Sequence, residues 1–108
     1  MNQELTPLER AIIRLTAAEN WPQFRDDCVR VIRRENTGAG RFTYVEDDLS
    51  QELADGFYSA EGRFVELPTV PNGLGFEIAV TASRLAYIEL AVYGNVAWDG
   101  SEDGWCIV

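Results

Sequence analysis

The sequence predicts an α+β domain in which two N-terminal helices pack on one face of a four- to five-stranded antiparallel sheet. Three observations support this class. A capped segment with helical apolar spacing opens the chain, segments with alternating apolar residues follow it, and residues 75–98 have the pattern of two long strands joined by a tight turn. The length of 108 residues and the hydrophobic content of 46% fit one domain, spanning 1–108, with a single core.

The first helix is predicted from Pro7 to about Glu19. Thr6 is a favourable N-cap, Pro7 suits the first helical position, and Glu9 completes a capping box with Thr6. Apolar residues then recur at three- and four-residue spacing, which gives the helix one apolar face made of Leu8, Ala11, Ile12, Leu15 and Ala18.

A second helix is predicted directly after the first. Asn20 is a suitable cap, Pro22 lies in the first turn, and Gln23 occupies the capping-box position. The predicted inward face contains Phe24, Cys28, Val31 and Ile32, and the outward face contains Arg25, Asp26, Arg30, Arg33 and Arg34. The last three arginines lie near the predicted C-terminus, where cations favour the helix dipole, and a site for an anionic ligand is the alternative interpretation. The glycine-containing segment 36–40 is predicted to end this helix.

Strands are predicted at 41–46 and 63–67, in the hairpin of residues 75–98, and at 105–108. Residues 81–84 connect the two strands of the hairpin without the Asn-Gly pair of the tightest turns. The alternation directs one set of hairpin side chains into the core: Phe76, Ile78, Val80, Ile88, Leu90 and Val92.

The residue inventory excludes several kinds of chemistry. The chain has no histidine, and its nine basic residues are all arginine. Histidine-based triads, imidazole zinc sites, Schiff-base chemistry and a phosphate-loop lysine are therefore excluded. No catalytic residue and no cofactor is predicted.

Negative charge is concentrated after residue 41. The net charge is −9, and residues 42–108 contain two arginines against twelve acidic residues. A field of this sign repels nucleic acid and anionic membranes and attracts a basic protein. General solubility is the alternative explanation of the same charge.

Candidate partner-binding residues are acidic and aromatic side chains in two loops and on the outer face of the hairpin. They are Glu46, Asp47, Asp48, Asp55, Tyr87, Glu89, Tyr93, Trp98, Asp99, Glu102 and Asp103. A divalent cation held by the acids at 46–48 is an alternative, as is one held at 99–104, which matches the first half of a calcium loop but lacks the acid at position twelve. Glu77 and Glu89 share a predicted sheet face, where a solvated surface is favoured over an acid/base pair.

Two cysteines, Cys28 and Cys106, are predicted to be buried thiols, with a disulfide between them as the alternative. The N-terminus lacks the basic and apolar segments of a secretory signal, and no apolar run reaches the roughly 18 residues of a membrane-spanning helix. A cytoplasmic location is therefore expected.

Four segments carry a resemblance to a known group of proteins: LTPLERAIIRL, NTGAGRFTYV, GFEIAV and LAYIELAVYGNVAW. Their order resembles a family of small uncharacterised bacterial proteins. That family has a Leu-Thr-x-x-Glu helix, a Thr-Gly-x-Gly segment leading into an aromatic strand, and a hairpin ending in Leu-Glu-x-x-x-Tyr-Gly. Here Thr-Ala-Ser-Arg occupies the turn where Asp-Gly-Arg is more usual. The resemblance implies one unit of helices packed on an antiparallel sheet and implies no catalytic residues.

Three kinds of function remain compatible with the sequence. The favoured one is a non-enzymatic acidic protein-binding module, such as an inhibitor or immunity-type protein for a basic partner. The others are a carboxylate-based divalent-metal-binding domain or enzyme, and a homo-oligomer formed through an exposed strand edge such as residues 105–108.

Overall fold

The computed structural model describes residues 4–47 and 52–108. Within these ranges the chain forms one helix and seven strands. They are α1 (Pro7–Asn20), β1 (Val29–Asn36), β2 (Gly40–Asp47), β3 (Gly56–Tyr58), β4 (Val65–Leu67), β5 (Val70–Thr81), β6 (Arg84–Val92) and β7 (Cys106–Ile107). The predicted α+β class is therefore confirmed, while the described part of the chain has more strands and fewer helices than predicted.

All the strands belong to one antiparallel sheet with the order β1-β2-β6-β5-β4-β7. The long strand β5 pairs with β6 along one side, and on its other side it pairs first with β4 and then with β3. The predicted hairpin of residues 75–98 is thus at the centre of the sheet, as β5 and β6. The predicted terminal strand is also present, as β7 paired with β4.

The predicted second helix is wrong. Residues 21–28 form a loop, and the arginine-rich segment is strand β1, which is paired along its length with β2. Its β-branched residues Val29 and Val31 are buried between exposed neighbours, a period of two that fits a half-buried strand. Gly38, with a φ of 84°, forms the turn between β1 and β2 and does not cap a helix.

Helix α1 begins as the sequence predicts. Thr6 N donates to Glu9 Oε1 at 2.9 Å, and Glu9 N donates to Thr6 Oγ1 at 3.1 Å, which completes the capping box. Its buried face packs on one face of the sheet, which we call the inner face. The predicted inward residues of the hairpin lie on this face, and five of the six are buried, with Val92 half-buried. The inner face therefore supplies the core.

The opposite, outer face of the sheet has no helix on it in the described chain. Alternation along each strand leaves the outer side chains of β2 and β6 half-buried or exposed, while their inner neighbours, apart from Val92, are buried. The burial of one face only is the pattern of an antiparallel sheet with a solvated side. None of the described helices is long and apolar enough to cross a membrane.

The thiols differ from expectation in their exposure. Cys28 is half-buried and lies just before β1, and Cys106 is exposed on β7. Both are free.

The turn between β5 and β6 gives the first testable prediction. Ala82 and Ser83 have φ values of 53° and 67°, a left-handed conformation that costs residues other than glycine about 1 kcal/mol each. A double Ala82→Asn, Ser83→Gly variant is expected to raise the free energy of unfolding by about 1 kcal/mol, because Asn-Gly suits this turn. Urea unfolding measures the change, and a lower free energy of unfolding would contradict the turn conformation.

Candidate functional site

On the outer face, one row of paired residues crosses four strands, and three of its four members are aromatic. Phe57 on β3 lies opposite Ala79, Ala79 lies opposite Tyr87, and Tyr87 lies opposite Tyr44 on β2. We call Phe57, Ala79, Tyr87 and Tyr44 the aromatic row. Phe57 is 65% exposed. Tyrosine and phenylalanine are enriched at interaction surfaces. A single exposed ring is common on any protein surface, but a group of neighbouring rings indicates a binding surface.

Phe42 on β2 lies beside the aromatic row, and its ring is close to the rings of Tyr44 and Tyr87. Its ring centroid lies 5.4 Å from that of Tyr87 and 6.2 Å from that of Tyr44, and the Tyr44 and Tyr87 centroids are 5.8 Å apart. The three rings therefore support one another in fixed positions. A preordered aromatic surface loses little side-chain entropy when a partner binds.

A row with acidic side chains runs beside the aromatic row. Phe42 pairs with Glu35 on one side and with Glu89 on the other, and Glu89 lies directly opposite Glu77. We call Glu35, Phe42, Glu89 and Glu77 the acidic row. Like charges directly opposite each other destabilise a sheet. No residue of the described ranges forms a hydrogen bond or ion pair with Glu77 or Glu89.

The negative charge of these residues affects the neighbouring tyrosine. Burial raises the pKa of the Tyr87 phenol, and the charges of Glu89 and Glu77 raise it further. Tyr87 therefore remains a protonated hydrogen-bond donor on a face of negative potential.

A shallow depression of about 210 Å³ lies next to the acidic row. Its lining includes Gly75, Glu77, Glu89, Ala91 and Tyr93. Tyr93 is 50% exposed and its ring lies over Gly75, where an added Cβ would be 2.5 Å from the tyrosine hydroxyl. The glycine therefore lets the ring form one side of the depression, with two carboxylates on another side.

The β1 margin of the outer face carries arginine. Arg33 lies with its guanidinium carbon 4.0 Å from the centroid of the Tyr44 ring and pairs with Glu35 at 3.2 Å. Arg30 pairs with Glu46 at 3.1 Å. The β1 margin of the outer face thus carries arginines paired with acids, whereas Glu77 and Glu89 form no ion pair with any residue of 4–47 or 52–108.

A second group of charged residues lies on the inner face. Glu9 is completely buried, and its carboxylate accepts two hydrogen bonds from Arg34, at 2.9 and 2.7 Å, and one from Arg41 at 2.8 Å. Thr43 Oγ1 donates at 2.7 Å. Arg41 also pairs with Glu102 at 2.6 Å. We call Glu9, Arg34, Arg41, Thr43 and Glu102 the Glu9 cluster.

The cluster joins the start of α1 to β1, β2 and the C-terminal loop. Burial alone would raise the pKa of Glu9, but the hydrogen bonds from Arg34, Thr43 and Thr6 and the charge of Arg41 outweigh it, so the pKa is lowered. Glu9 is therefore an ionised carboxylate with every partner supplied from within the chain. Its complete burial separates it from any substrate, and we interpret the cluster as structural.

The structure distributes the predicted partner-binding residues over different places. Glu46, Tyr87, Glu89 and Tyr93 lie on the outer face. Asp47 is buried on the inner face, and Asp55 accepts a hydrogen bond from Ser83 N. Trp98 is buried beneath Arg41, Glu102 belongs to the Glu9 cluster, Asp99 caps Ser101 N, and Asp103 is exposed. Asp48 lies outside the described residues. The predicted residues therefore do not form one site.

In the described part of the chain, the structure does not bring the acids of either candidate cation site together around a common point. Glu46 is exposed while Asp47 is buried, so their side chains lie on opposite faces of β2. In the loop at 99–104, the Asp99 and Ser101 side chains accept from backbone amides of the loop itself. Over residues 4–47 and 52–108, no group of three or more Cys, Asp or Glu side chains is arranged to hold a metal ion.

The sequence does not identify Phe42, Tyr44 and Phe57 as members of the site, and it places Glu77 on the same face as Glu89 without indicating a role in partner binding. The alternation of 41–46 predicts a strand, but the register that places Tyr44 opposite Tyr87 depends on residues more than 40 positions apart in the chain. Comparison of the chain with protein-family models, with curated proteins and with solved structures finds no match. The resemblance to a family of small bacterial proteins therefore stays a prediction.

Proposed function

We propose that this chain is a non-enzymatic protein-binding module, such as an inhibitor or immunity-type protein, that docks on a basic protein through the outer face of its sheet. The observation that carries the proposal is that the aromatic row lies beside Glu77 and Glu89, which have no ion-pair partner among the described residues, on a face that no described helix covers. Aromatic rings supply contact area, and the carboxylates select a partner of positive charge.

The charge of the chain supports a basic protein over the other classes of partner. At a net charge of −9, phosphate backbones and anionic lipid surfaces are repelled, and so is a second copy of the chain. Steering by such a field also accelerates the encounter with a basic protein.

The sheet edges are weaker candidates than the face. Strand β7 has two residues, and a short edge strand gives another chain little backbone to pair with. Strand β1 is interrupted by an irregularity between Val31 and Arg33, which also opposes the addition of a strand. We therefore favour the outer face over an edge-paired oligomer.

The proposal is tested by capturing partners from a lysate of the source organism with the wild-type chain and then comparing their binding to variants altered on the outer face. A Tyr44→Ser, Tyr87→Ser chain is expected to bind the captured basic partner about 30-fold or more weakly than the wild type, since the loss of even one central aromatic anchor costs about 2 kcal/mol or more. The Tyr44→Phe, Tyr87→Phe chain keeps the rings and is the matched control. It is expected to retain most of the affinity.

Three results would contradict the proposed function. The first is that no partner is enriched over a bead control, and the second is that the enriched partner is acidic. The third is equal capture by the Ser and Phe variants when circular dichroism shows both to be folded.

A further inference from the structure

The depression beside Tyr93 identifies the kind of side chain that would anchor the partner. Building on the function proposed above, we propose that the depression receives an arginine side chain, with its guanidinium paired to Glu77 and Glu89 and stacked against the Tyr93 ring. Three features of the molecule support this contact: the shape of the depression, its charge, and the way the chain positions its own arginines.

The shape follows from a row of small residues. Gly40 on β2 lies opposite Ala91, and Ala91 lies opposite Gly75 on β5. This row of small residues runs directly beside the acidic row. Gly75 and Ala91 form the floor of the depression, and the side chains of Glu89 and Glu77 form one of its walls. Tyr93 closes the depression on the other side because Gly75 admits its ring. A long, flat side chain fits such a space between a ring and two carboxylates.

The charge favours one cation. Glu77 and Glu89 are directly opposed, and within the described ranges neither has a hydrogen bond or ion pair. A cation placed between them removes their repulsion and gains two ion pairs at once, and the charge-assisted pairs formed by a guanidinium are geometrically specific. The pair therefore gains more from a cationic ligand than an isolated surface carboxylate does.

The chain holds its own arginines in the same combination of ring and carboxylate. Arg33 lies over Tyr44 and pairs with Glu35 on this very face. Arg41 lies 5.3 Å from the centroid of the Trp98 ring and pairs with Glu9 and Glu102. Arg41 is thus surrounded by two carboxylates and one aromatic ring. The depression offers the same three groups, and no described residue places a cation among them. Arginine stacks on rings and bridges carboxylates better than lysine does, because its charge is planar and less strongly hydrated.

Titration with two peptide probes, followed by amide and tyrosine-ring NMR signals, tests the inference. Hexa-arginine is expected to bind about fivefold more tightly than hexa-lysine at low salt. Its binding is expected to shift signals of Gly75, Glu77, Glu89 and Tyr93. The Glu77→Gln, Glu89→Gln chain is expected to bind hexa-arginine about tenfold more weakly and to lose the preference for arginine.

Matched controls separate this contact from general charge. The Glu52→Gln, Glu61→Gln chain loses the same two charges from exposed positions outside the depression and is expected to bind hexa-arginine within about twofold of the wild type. Tyr93→Phe is expected to keep the preference for arginine, and Tyr93→Ser is expected to lose it.

The outcomes distinguish this inference from the function on which it rests. Equal affinities for the two peptides, with shifts on the outer face, would overturn the arginine assignment and leave docking of a basic protein intact. Shifts confined to residues 99–103, or equal weakening by both Gln double variants, would also overturn it. Failure of the capture experiment overturns the proposed function whatever the peptides do.

Discussion

A Glu9→Gln chain is expected to be less stable than the wild type, with a free energy of unfolding about 3–5 kcal/mol lower. The substitution keeps the size of the side chain and removes the charge that Arg34 and Arg41 share, and Arg41 is only 5% exposed. A buried guanidinium that loses a partner bears a desolvation cost that water cannot relieve. Urea unfolding followed by tryptophan fluorescence measures the change.

The matched control is Glu35→Gln, which removes a carboxylate from the exposed pair with Arg33. That variant is expected to lose at most about 1 kcal/mol, because exposed ion pairs contribute little. The double variant Glu9→Gln, Arg41→Met is expected to lose less than the sum of its single changes, since both remove the same interaction. Equal losses for Glu9→Gln and Glu35→Gln would refute a structural role for the Glu9 cluster.

The effect of Glu9 depends on pH in a direction that the lowered pKa fixes. The unfolded chain has the ordinary glutamate value of 4.5, so as the pH falls it takes up this proton before the folded chain does. The stabilisation is complete above that value and is lost as the pH falls below it, through the lowered pKa of the folded state. The stability difference between wild type and Glu9→Gln is therefore expected to shrink in acid and to stay constant from pH 6 to 8.

A Glu89→Arg chain is expected to bind the captured partner about 100-fold more weakly than the wild type and to have a higher free energy of unfolding. The new cation repels a basic surface at the centre of the proposed contact, where like charges cost several kcal/mol. It also replaces the repulsion between Glu89 and Glu77 by attraction, worth about 0.5–1 kcal/mol of stability. Opposite effects on binding and stability are characteristic of residues maintained for function.

The control is Glu61→Arg, which makes the same change of charge at an exposed position outside the outer face. It is expected to alter binding by about threefold at most and to leave stability nearly unchanged. A Glu89→Arg chain that is less stable and binds normally would show that the opposed carboxylates belong to the fold and not to a binding surface.

Local signals in the sequence determined what could be predicted. The capping box at Thr6 and Glu9 specifies the start of α1 within one turn, and the alternation along β5 and β6 specifies which residues face the core. The same alternation predicts that Tyr87, Glu89 and Tyr93 lie on the outer face of the hairpin. These features depend on residues that are close together in the chain.

Features that depend on distant pairing could not be predicted. Strand β1 has apolar residues at spacings that fit a helix as well as a strand, and its pairing with β2 decides between them. Glu9 has an ordinary place in a capping box, and only the fold brings Arg34 and Arg41 to its carboxylate. The aromatic row combines β2, β3, β5 and β6, so its continuity follows from register alone.

A soluble paramagnetic agent tests directly whether the outer face is the surface that binds the partner, as we propose. The agent broadens NMR signals of exposed groups, and the aromatic rings of Phe57, Tyr44 and Tyr93 would be compared in the free chain and in the complex with the captured partner. We expect these rings to be broadened in the free chain and protected in the complex, while Asp99 and Asp103 stay broadened. Rings that stay broadened in the complex, together with protection of Asp99 and Asp103, would contradict it.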